Sequence, residues 1–491
     1  MKRARPRMLL PALVATVALL AGTAGATAHA QSGSQAKSGL EKIEHIVIIM
    51  QENRTFDHYF GTFPGAEGFP LDADGNIAVC VPDPNESGTC VRPTHEPGDR
   101  QVGGPHNYRS FVTSVNGGKM DGFLQAFRDA TAPCPEDIGY NESSWCERTN
   151  EDPTNVMGYK TEADIPNYWR YAREFVLQDH MFAASNSWTI PAHLYMVSGW
   201  SAKCRNTNPM SCRNAGDDPD APVSWKEARY KKLNDVGQED VPDFDDPVYA
   251  WTDITYLLHE NDVSWGYYVF AGDEPDCDEV TGPITCKPGK QDARTSNIWN
   301  PLPYFTTVQE NDQTDNVQPM KNFDAAVKDG TLPAVTWLIP NGAVSEHPPS
   351  KVSEGQAWVT RQINTIMKSD LWDSTAIFVS WDDYGGFYDH VVPPVVDANG
   401  YGIRVPGLVI SPYAKKGSID QQTLSHDAYL KFIEDVFLDG QRIDPRTDGR
   451  PDKRISVREE APALGDLRAA FDFTQPPRPP LILDPYPNGK T

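Results

Sequence analysis

The 491-residue chain sets 44 Lys and Arg against 68 Asp and Glu, a formal charge of −24, and its 39% hydrophobic residues with 12 Trp suffice for a sizeable core. Its 37 Gly and 42 Pro favour turns over long helices and exclude coiled coils and collagen. So acidic a surface repels nucleic acid and anionic bilayers, which excludes nucleic acid as a partner and limits membrane contact to the peripheral kind, while a small phosphate ester reaching a metal remains compatible.

The chain opens with Lys2, Arg3, Arg5 and Arg7, continues with an apolar run over 8–20, and reaches the small-residue triplet Ala28-His29-Ala30. This is the pattern of a secretory signal peptide over 1–30, and it predicts an exported protein. Pro11 interrupts the run, which falls short of the ~20 residues of a membrane span. The remainder, 31–491, is expected to form a single α/β catalytic domain. Eight cysteines suit an exported chain and fall as sequence neighbours: Cys80 with Cys90, Cys134 with Cys146, Cys204 with Cys212, and Cys277 with Cys286. Four local disulfides are the simplest connectivity, with no free thiol, and the absence of CxxC spacing argues against a structural zinc.

Residues 43–50 (IEHIVIIM) form a short β-branched run between polar residues and predict a buried strand, as do 265–271, 334–339, 376–381 and 408–411. Helices are predicted over 166–177, 191–198, 353–368 and 427–438. This alternation predicts a mostly parallel central sheet flanked by helices on both faces, with ligands bound where strands end and loops open. Residues 72–104 and 203–248, rich in Asp, Asn, Pro and Gly, read as surface insertions. The proline-rich tail 471–491 reads as an extended strap.

The first strand runs into Glu52-Asn53, a carboxylate and an amide at a strand's C-terminal end, which offers hard oxygen ligands to a divalent cation. Asn53 and Asp57 also suit capping of the next helix. In the same way the strand over 376–381 runs into Asp382-Asp383. Adjacent carboxylates repel unless something positive neutralises them, and Gly385 and Gly386 let the backbone pass close to a ligand. Pro191 suits the first position of the helix over 191–198, which puts Thr189 at its N-terminus. Free N–H groups there favour a phosphoryl oxygen, and a hydroxyl beside a cation is poised to attack phosphorus. Ser185 and Ser187 are rival nucleophiles. His347, in a Pro-flanked loop, can protonate a departing alkoxide; Glu354 can orient it or cap its own helix; His106 and His390 are further acid–base candidates. Trp188, Tyr384, Phe387 and Tyr388 would suit acyl chains or a choline-like cation at a rim, and equally suit packing.

Taken together, ENRTFDHYFG after a strand, Thr-x-Pro ahead of a helix, HPPSKVSEGQ and WDDYGGFYDH, in this order over about 43–437, resemble the secreted phosphoesterase family of bacterial and plant non-specific phospholipases C and a bacterial acid phosphatase. That family is similar in fold to alkaline phosphatases and sulfatases. The resemblance implies a three-layer alkaline-phosphatase-like α/β domain. It also implies one divalent cation, Ca²⁺, Mg²⁺, Mn²⁺ or Zn²⁺, held by Glu52, Asn53, Asp382, Asp383 and Thr189. It implies that Thr189 is the nucleophile, that His106 and His347 contact the phosphoryl group, and that Glu354 and His390 lie in matching motifs. The expected function is therefore a metal-dependent phospholipase C releasing diacylglycerol and a phosphorylated headgroup through a phosphothreonine. A phosphomonoesterase on soluble esters, or a non-catalytic secreted binding protein on the same fold, are the alternatives. Two departures stand out: Pro191-Ala192-His193 where the phospholipase pattern reads Pro-Asn-Arg, and Asp382-Asp383-Tyr384 where plant members resemble Asp-Glu-His. No Cys or Ser sits in a sulfatase-like CxPxR context.

Overall fold

The computed structural model describes residues 39–130, 152–222, 246–275 and 289–489. The expected signal peptide and the pairs Cys134 with Cys146 and Cys277 with Cys286 lie outside them. Eight strands build the central sheet: β1 (His45–Gln51), β2 (Val176–Gln178), β3 (Trp265–Val269), β4 (Val317–Pro319), β5 (Val335–Ile339), β6 (Thr375–Trp381), β7 (Gly407–Ile410) and β8 (Ser418–Asp420). Their order is β4-β3-β5-β1-β6-β7-β2-β8. Every pairing is parallel except the two made by β7.

The central strands read as continuous apolar runs because they are covered on both faces. On β6 the two faces are told apart by side-chain alternation: Trp381 meets Tyr168 of the helix Pro166–Glu174 with ring centroids 5.2 Å apart, whereas Phe378 meets Tyr429 of the helix His426–Phe437 at 4.9 Å. Helices therefore flank the sheet on both sides. We label those that matter below α1 (Phe56–Phe60), α2 (Pro166–Glu174), α3 (Thr189–Ser198), α4 (Val352–Met367) and α5 (His426–Phe437).

All five predicted strands are present within a residue or two at each end, as are three of the four predicted helices, while the helix predicted over 166–177 ends three residues early at Glu174. Three strands escape the sequence pattern. β2 lies where the helix over 166–177 was expected to continue, because α2 stops at Glu174, and β4 and β8 are three-residue edge strands. The helix expected from 191 begins at Thr189, with Trp188 before it and Pro191 inside the first turn, where its missing N–H costs nothing. α1 is capped by neither Asn53 nor Asp57; the Thr55 side chain accepts from His58 N at 3.1 Å.

Disulfides join Cys80 to Cys90 and Cys204 to Cys212, and no described cysteine is free. A second apolar cluster around Phe69, Val81, Phe123, Tyr384 and Tyr388 packs 72–104 territory against the loop after β6. The C-terminal residues run across α4 and α2: Asn364 and Leu483 exchange two hydrogen bonds, Asn167 Nδ2 donates to Asp484 O at 2.8 Å, and Tyr486 O–H donates to Glu354 Oε2 at 2.8 Å. No helix among the described residues is long and apolar enough to cross a membrane.

Candidate active site

β1 and β6 lie side by side with Gln51 opposite Trp381, so Glu52 and Asp382 leave the sheet as neighbours. Asp382 N bonds Gln51 O at 3.0 Å, and Glu52 N bonds Ser345 O at 2.9 Å, which brings the loop after β5 to the same place. Asn53 adopts a left-handed φ of 63°, and its N–H donates to Asp382 Oδ1 at 2.8 Å. α3 delivers Thr189 at its first residue, with Oγ1 donating to Asp382 Oδ2 at 2.6 Å and lying 3.5 Å from Asp383 Oδ2. The Asp383 carboxylate accepts from Gly385 N at 2.7 Å.

His106 reaches this cluster through a backbone crossing. Gly104 N bonds Gly385 O at 2.8 Å, and a Cβ on Gly386 would stand 2.2 Å from Gly104 Cα, so only glycine fits where the two loops touch. The His106 Nδ1 lies 3.2 Å from Gly104 O and therefore carries the proton. Nε2 then accepts from Asn53 Nδ2 at 3.2 Å and lies 3.8 Å from Asp383 Oδ2. With its amide nitrogen so engaged, Asn53 leaves Oδ1 buried and without a hydrogen-bond partner among the described residues.

Glu52, Asn53, His106, Thr189, Asp382 and Asp383 are thus one buried cluster, each at most 1% exposed. Three carboxylates share it, and among the described residues no Lys or Arg forms an ion pair with Asp382. Such a set of oxygens, with an orphaned amide oxygen among them, fits a divalent cation.

The sequence reading passed over one member. His193 stands one turn after Thr189 on α3, wholly buried, with Nε2 3.2 Å from Glu52 Oε1. Ligand-type atoms of Glu52, His193 and Asp382 all lie within 4.8 Å of one another. The i, i+4 spacing from Thr189 was the available signal. His426, at the start of α5, lies just behind with Nε2 3.0 Å from Trp381 O, and burial pushes its pKa down to about 4, so it stays neutral.

The other predicted residues fall at the edge or elsewhere. His347 is buried in the loop after β5, two residues from the Ser345 carbonyl that holds Glu52, with Nδ1 2.8 Å from Pro348 O. Glu354 sits half-buried in the first turn of α4 and is engaged by Tyr486. His390 Nδ1 lies 2.7 Å from Asp57 Oδ2, in a separate cluster with Asp389 and Arg404. Of the rival nucleophiles, Ser187 donates to Asp217 Oδ1 at 2.7 Å, and the buried Ser185 hydroxyl has no hydrogen-bond partner among the described residues. Trp188, Tyr384, Phe387 and Tyr388 are all buried. Tyr384 and Tyr388 pack on Phe123, and Phe387 lies 4.0 Å from the His58 ring, so the packing reading of these aromatics holds.

A second missed residue is Glu346. Its carboxylate accepts from Tyr168 O–H at 2.5 Å, Tyr59 O–H at 2.6 Å and Trp381 Nε1 at 3.1 Å, with Gln51 Nε2 at 3.4 Å. Burial raises its pKa, while those donors and Arg54 pull the other way. It ties the residues preceding Glu52 and Asp382 to the residue preceding His347.

The Phosphoesterase family model matches residues 43–438. The chain is 28% identical to the non-hemolytic phospholipase C of Burkholderia pseudomallei, over 93% of this chain and 64% of that protein's length. It is 26% identical to phospholipase C B of Mycobacterium tuberculosis, over 90% of this chain and 80% of that protein. A crystal structure of a protein in the alkaline phosphatase superfamily from Vibrio parahaemolyticus covers 56% of this chain and 60% of its own at 13% identity, with a TM-score of 0.29, too slight a likeness to argue from.

Proposed function

The chain belongs to the phosphoesterase family, a family of phosphoester hydrolases, and from that premise we propose that it is an exported, metal-dependent phospholipase C. The reading is carried by one observation: the Thr189 hydroxyl, at a helix N-terminus, hydrogen-bonds Asp382 at 2.6 Å amid the buried acids Glu52, Asp382 and Asp383. Export is supported by the basic and apolar start of the sequence and by the two disulfides.

Glu52, Asn53, Asp382 and Asp383 would hold one divalent cation, with the Thr189 hydroxyl beside it. When bound, that cation supplies Lewis-acid stabilisation of the attacking oxygen and of the charge growing on the phosphoryl group. Asp382 accepts the hydrogen bond of Thr189 and orients its oxygen for in-line attack on phosphorus. The free N–H groups of the first turn of α3 face the phosphoryl oxygens. As the Thr189 O–P bond forms, the hydroxyl proton passes to Asp382, and as the bond to the leaving alcohol breaks, His347 in its doubly protonated form would give the alkoxide the proton it needs. Water then cleaves the phosphothreonine. With a phospholipid the first step releases diacylglycerol and the second the phosphorylated headgroup.

The test is diacylglycerol release from phosphatidylcholine by the mature protein, with and without a chelator. Chelator-sensitive release is expected, and Thr189→Ala is expected to fold and lose several hundredfold in rate, on the order of 4 kcal/mol of barrier. Retained activity in that variant would move the nucleophile elsewhere. One observation favours a second reading, a phosphomonoesterase on soluble esters: the four aromatics suited to an acyl-binding rim are buried in packing. Phosphate release from an aryl phosphate, with none of diacylglycerol, would select it.

A further inference from the structure

We propose that His193 is a nitrogen ligand of the same cation, and that it biases the site toward Zn²⁺, and only weakly toward Mn²⁺, over Ca²⁺ and Mg²⁺. The proposal rests on the metal-dependent reading of the site and adds to it both a ligand and a choice of metal.

Three observations carry it. First, His193 Nε2 and Glu52 Oε1 are 3.2 Å apart, and the ligand-type atoms of Glu52, His193 and Asp382 lie within 4.8 Å of one another. Atoms bound to one cation at about 2.0–2.2 Å stand roughly 3 Å from each other, so this spacing suits neighbours in a coordination shell. Second, both side chains are 0% exposed. An imidazole so buried beside Glu52 and Asp382 is shielded from bulk solvent. Third, Thr189 and His193 are one turn apart on α3, so the helix that aims the hydroxyl at Asp382 aims the imidazole at Glu52. A rigid element thus presents both side chains to the same cluster.

Oxygen-only sites accept Ca²⁺ and Mg²⁺ readily, whereas an imidazole in the set favours the later first-row metals. The competing account is that His193 donates Nε2–H to Glu52 and merely orients it. The two differ in which atom faces the metal, and a spectroscopic measurement separates them without reference to turnover.

The full mature chain, stripped and reloaded with Mn²⁺, would be studied by pulsed electron paramagnetic resonance for ¹⁴N coupling from a directly bound imidazole. The proposal expects that coupling in the wild type and its loss in His193→Asn. It also expects Zn²⁺ to bind His193→Asn about tenfold or more weakly, with a smaller loss for Mn²⁺, while Ca²⁺ affinity changes by less than about threefold. Bound Mn²⁺ without ¹⁴N coupling in the wild type would overturn the proposal and leave the metal-dependent reading intact. Coupling that persists in His193→Asn would also overturn it, by assigning the nitrogen to another histidine. Failure of the wild type to bind any of these cations would overturn both. The wild-type spectrum decides the matter even if the variant does not fold.

Discussion

Two triads in this protein each join two buried carboxylates to a histidine, and they differ in what stands opposite the acids. Asp57, Asp389 and His390 converge within 4.8 Å, as do Glu52, His193 and Asp382. Into the first, the fold inserts Arg404, itself 0% exposed, whose Nε lies 2.9 Å from Asp389 Oδ1 and whose Nη2 lies 3.1 Å from Asp57 Oδ1. Backbone N–H groups of Asp57 and His390 donate to the remaining oxygens, at 3.1 and 2.9 Å. Burial works against charge on His390, yet its bond to Asp57 holds its pKa above the ordinary value. Around the second triad no Lys or Arg among the described residues pairs with Asp382. The first is a permanent joint that carries its own cation. On the proposed reading, Asp382 has room opposite it for a cation that can be exchanged.

That contrast can be broken from either side. Asp382→Asn removes the charge and turns one of the two oxygens that accept from Asn53 N and Thr189 into a donor, and phosphoester hydrolysis should fall a thousandfold or more, roughly 4 kcal/mol, in steady-state assays on folded protein. Arg404→Met leaves the two buried acids with only the partly buried His390 opposite them and should cost about 3 kcal/mol or more of unfolding free energy in denaturant titrations; a negligible loss would mean that the joint is not held by the arginine's charge. Chelation acts only on the exchangeable site. If the cation is present at a hundred times its Kd, stripping it should remove about 2.7 kcal/mol and lower Tm by several degrees, and an unchanged Tm would count against a bound metal.

A third buried acid sharpens the comparison, because among the described residues no arginine forms an ion pair with it, although the charges of Arg454 and Arg442 reach it from a distance, and it is left to protonation. Both Glu459 oxygens lack hydrogen-bond partners among the described residues, and burial, with Asp427 adding to it, pushes the pKa up from 4.5 to about 7. A carboxyl raised in the folded state favours folding fully below its unfolded value and loses that contribution as pH climbs from about 4.5 to about 7. Glu459→Gln should therefore gain stability relative to the wild type at pH 8 compared with pH 5, the smallest of these effects. Parallel pH profiles of the two proteins would show that Glu459 is not the titrating group.

What could be read from the sequence follows from how local each signal is. β1, β5 and β6 announce themselves because strands buried on both faces are unbroken apolar runs, and Glu52 and Asp382 follow because they are simply the next residues. β2, β4 and β8 are too short to print a pattern. Cys80 with Cys90 and Cys204 with Cys212 were legible from proximity in sequence. His193 was not, because its meaning depends on Glu52, 141 residues earlier. Glu346 was hidden for the same reason: its donors Tyr59, Tyr168 and Trp381 come from three separate segments, and nothing beside it in sequence marks it as an acceptor surrounded by donors.

The central place of β1 has a bearing on biosynthesis. Its hydrogen-bonding neighbours are Val335–Ile339 on one edge and Thr375–Trp381 on the other, so the first strand to leave the ribosome is among the last to be enclosed. Pairings so distant along the chain are slow to form. Glu52 emerges long before Asp382 exists, so a nascent chain holds only part of the acidic cluster. On the proposed function, a hydrolase assembled in this order would be inert toward the phosphate esters of the cell that makes it until the whole polypeptide has folded.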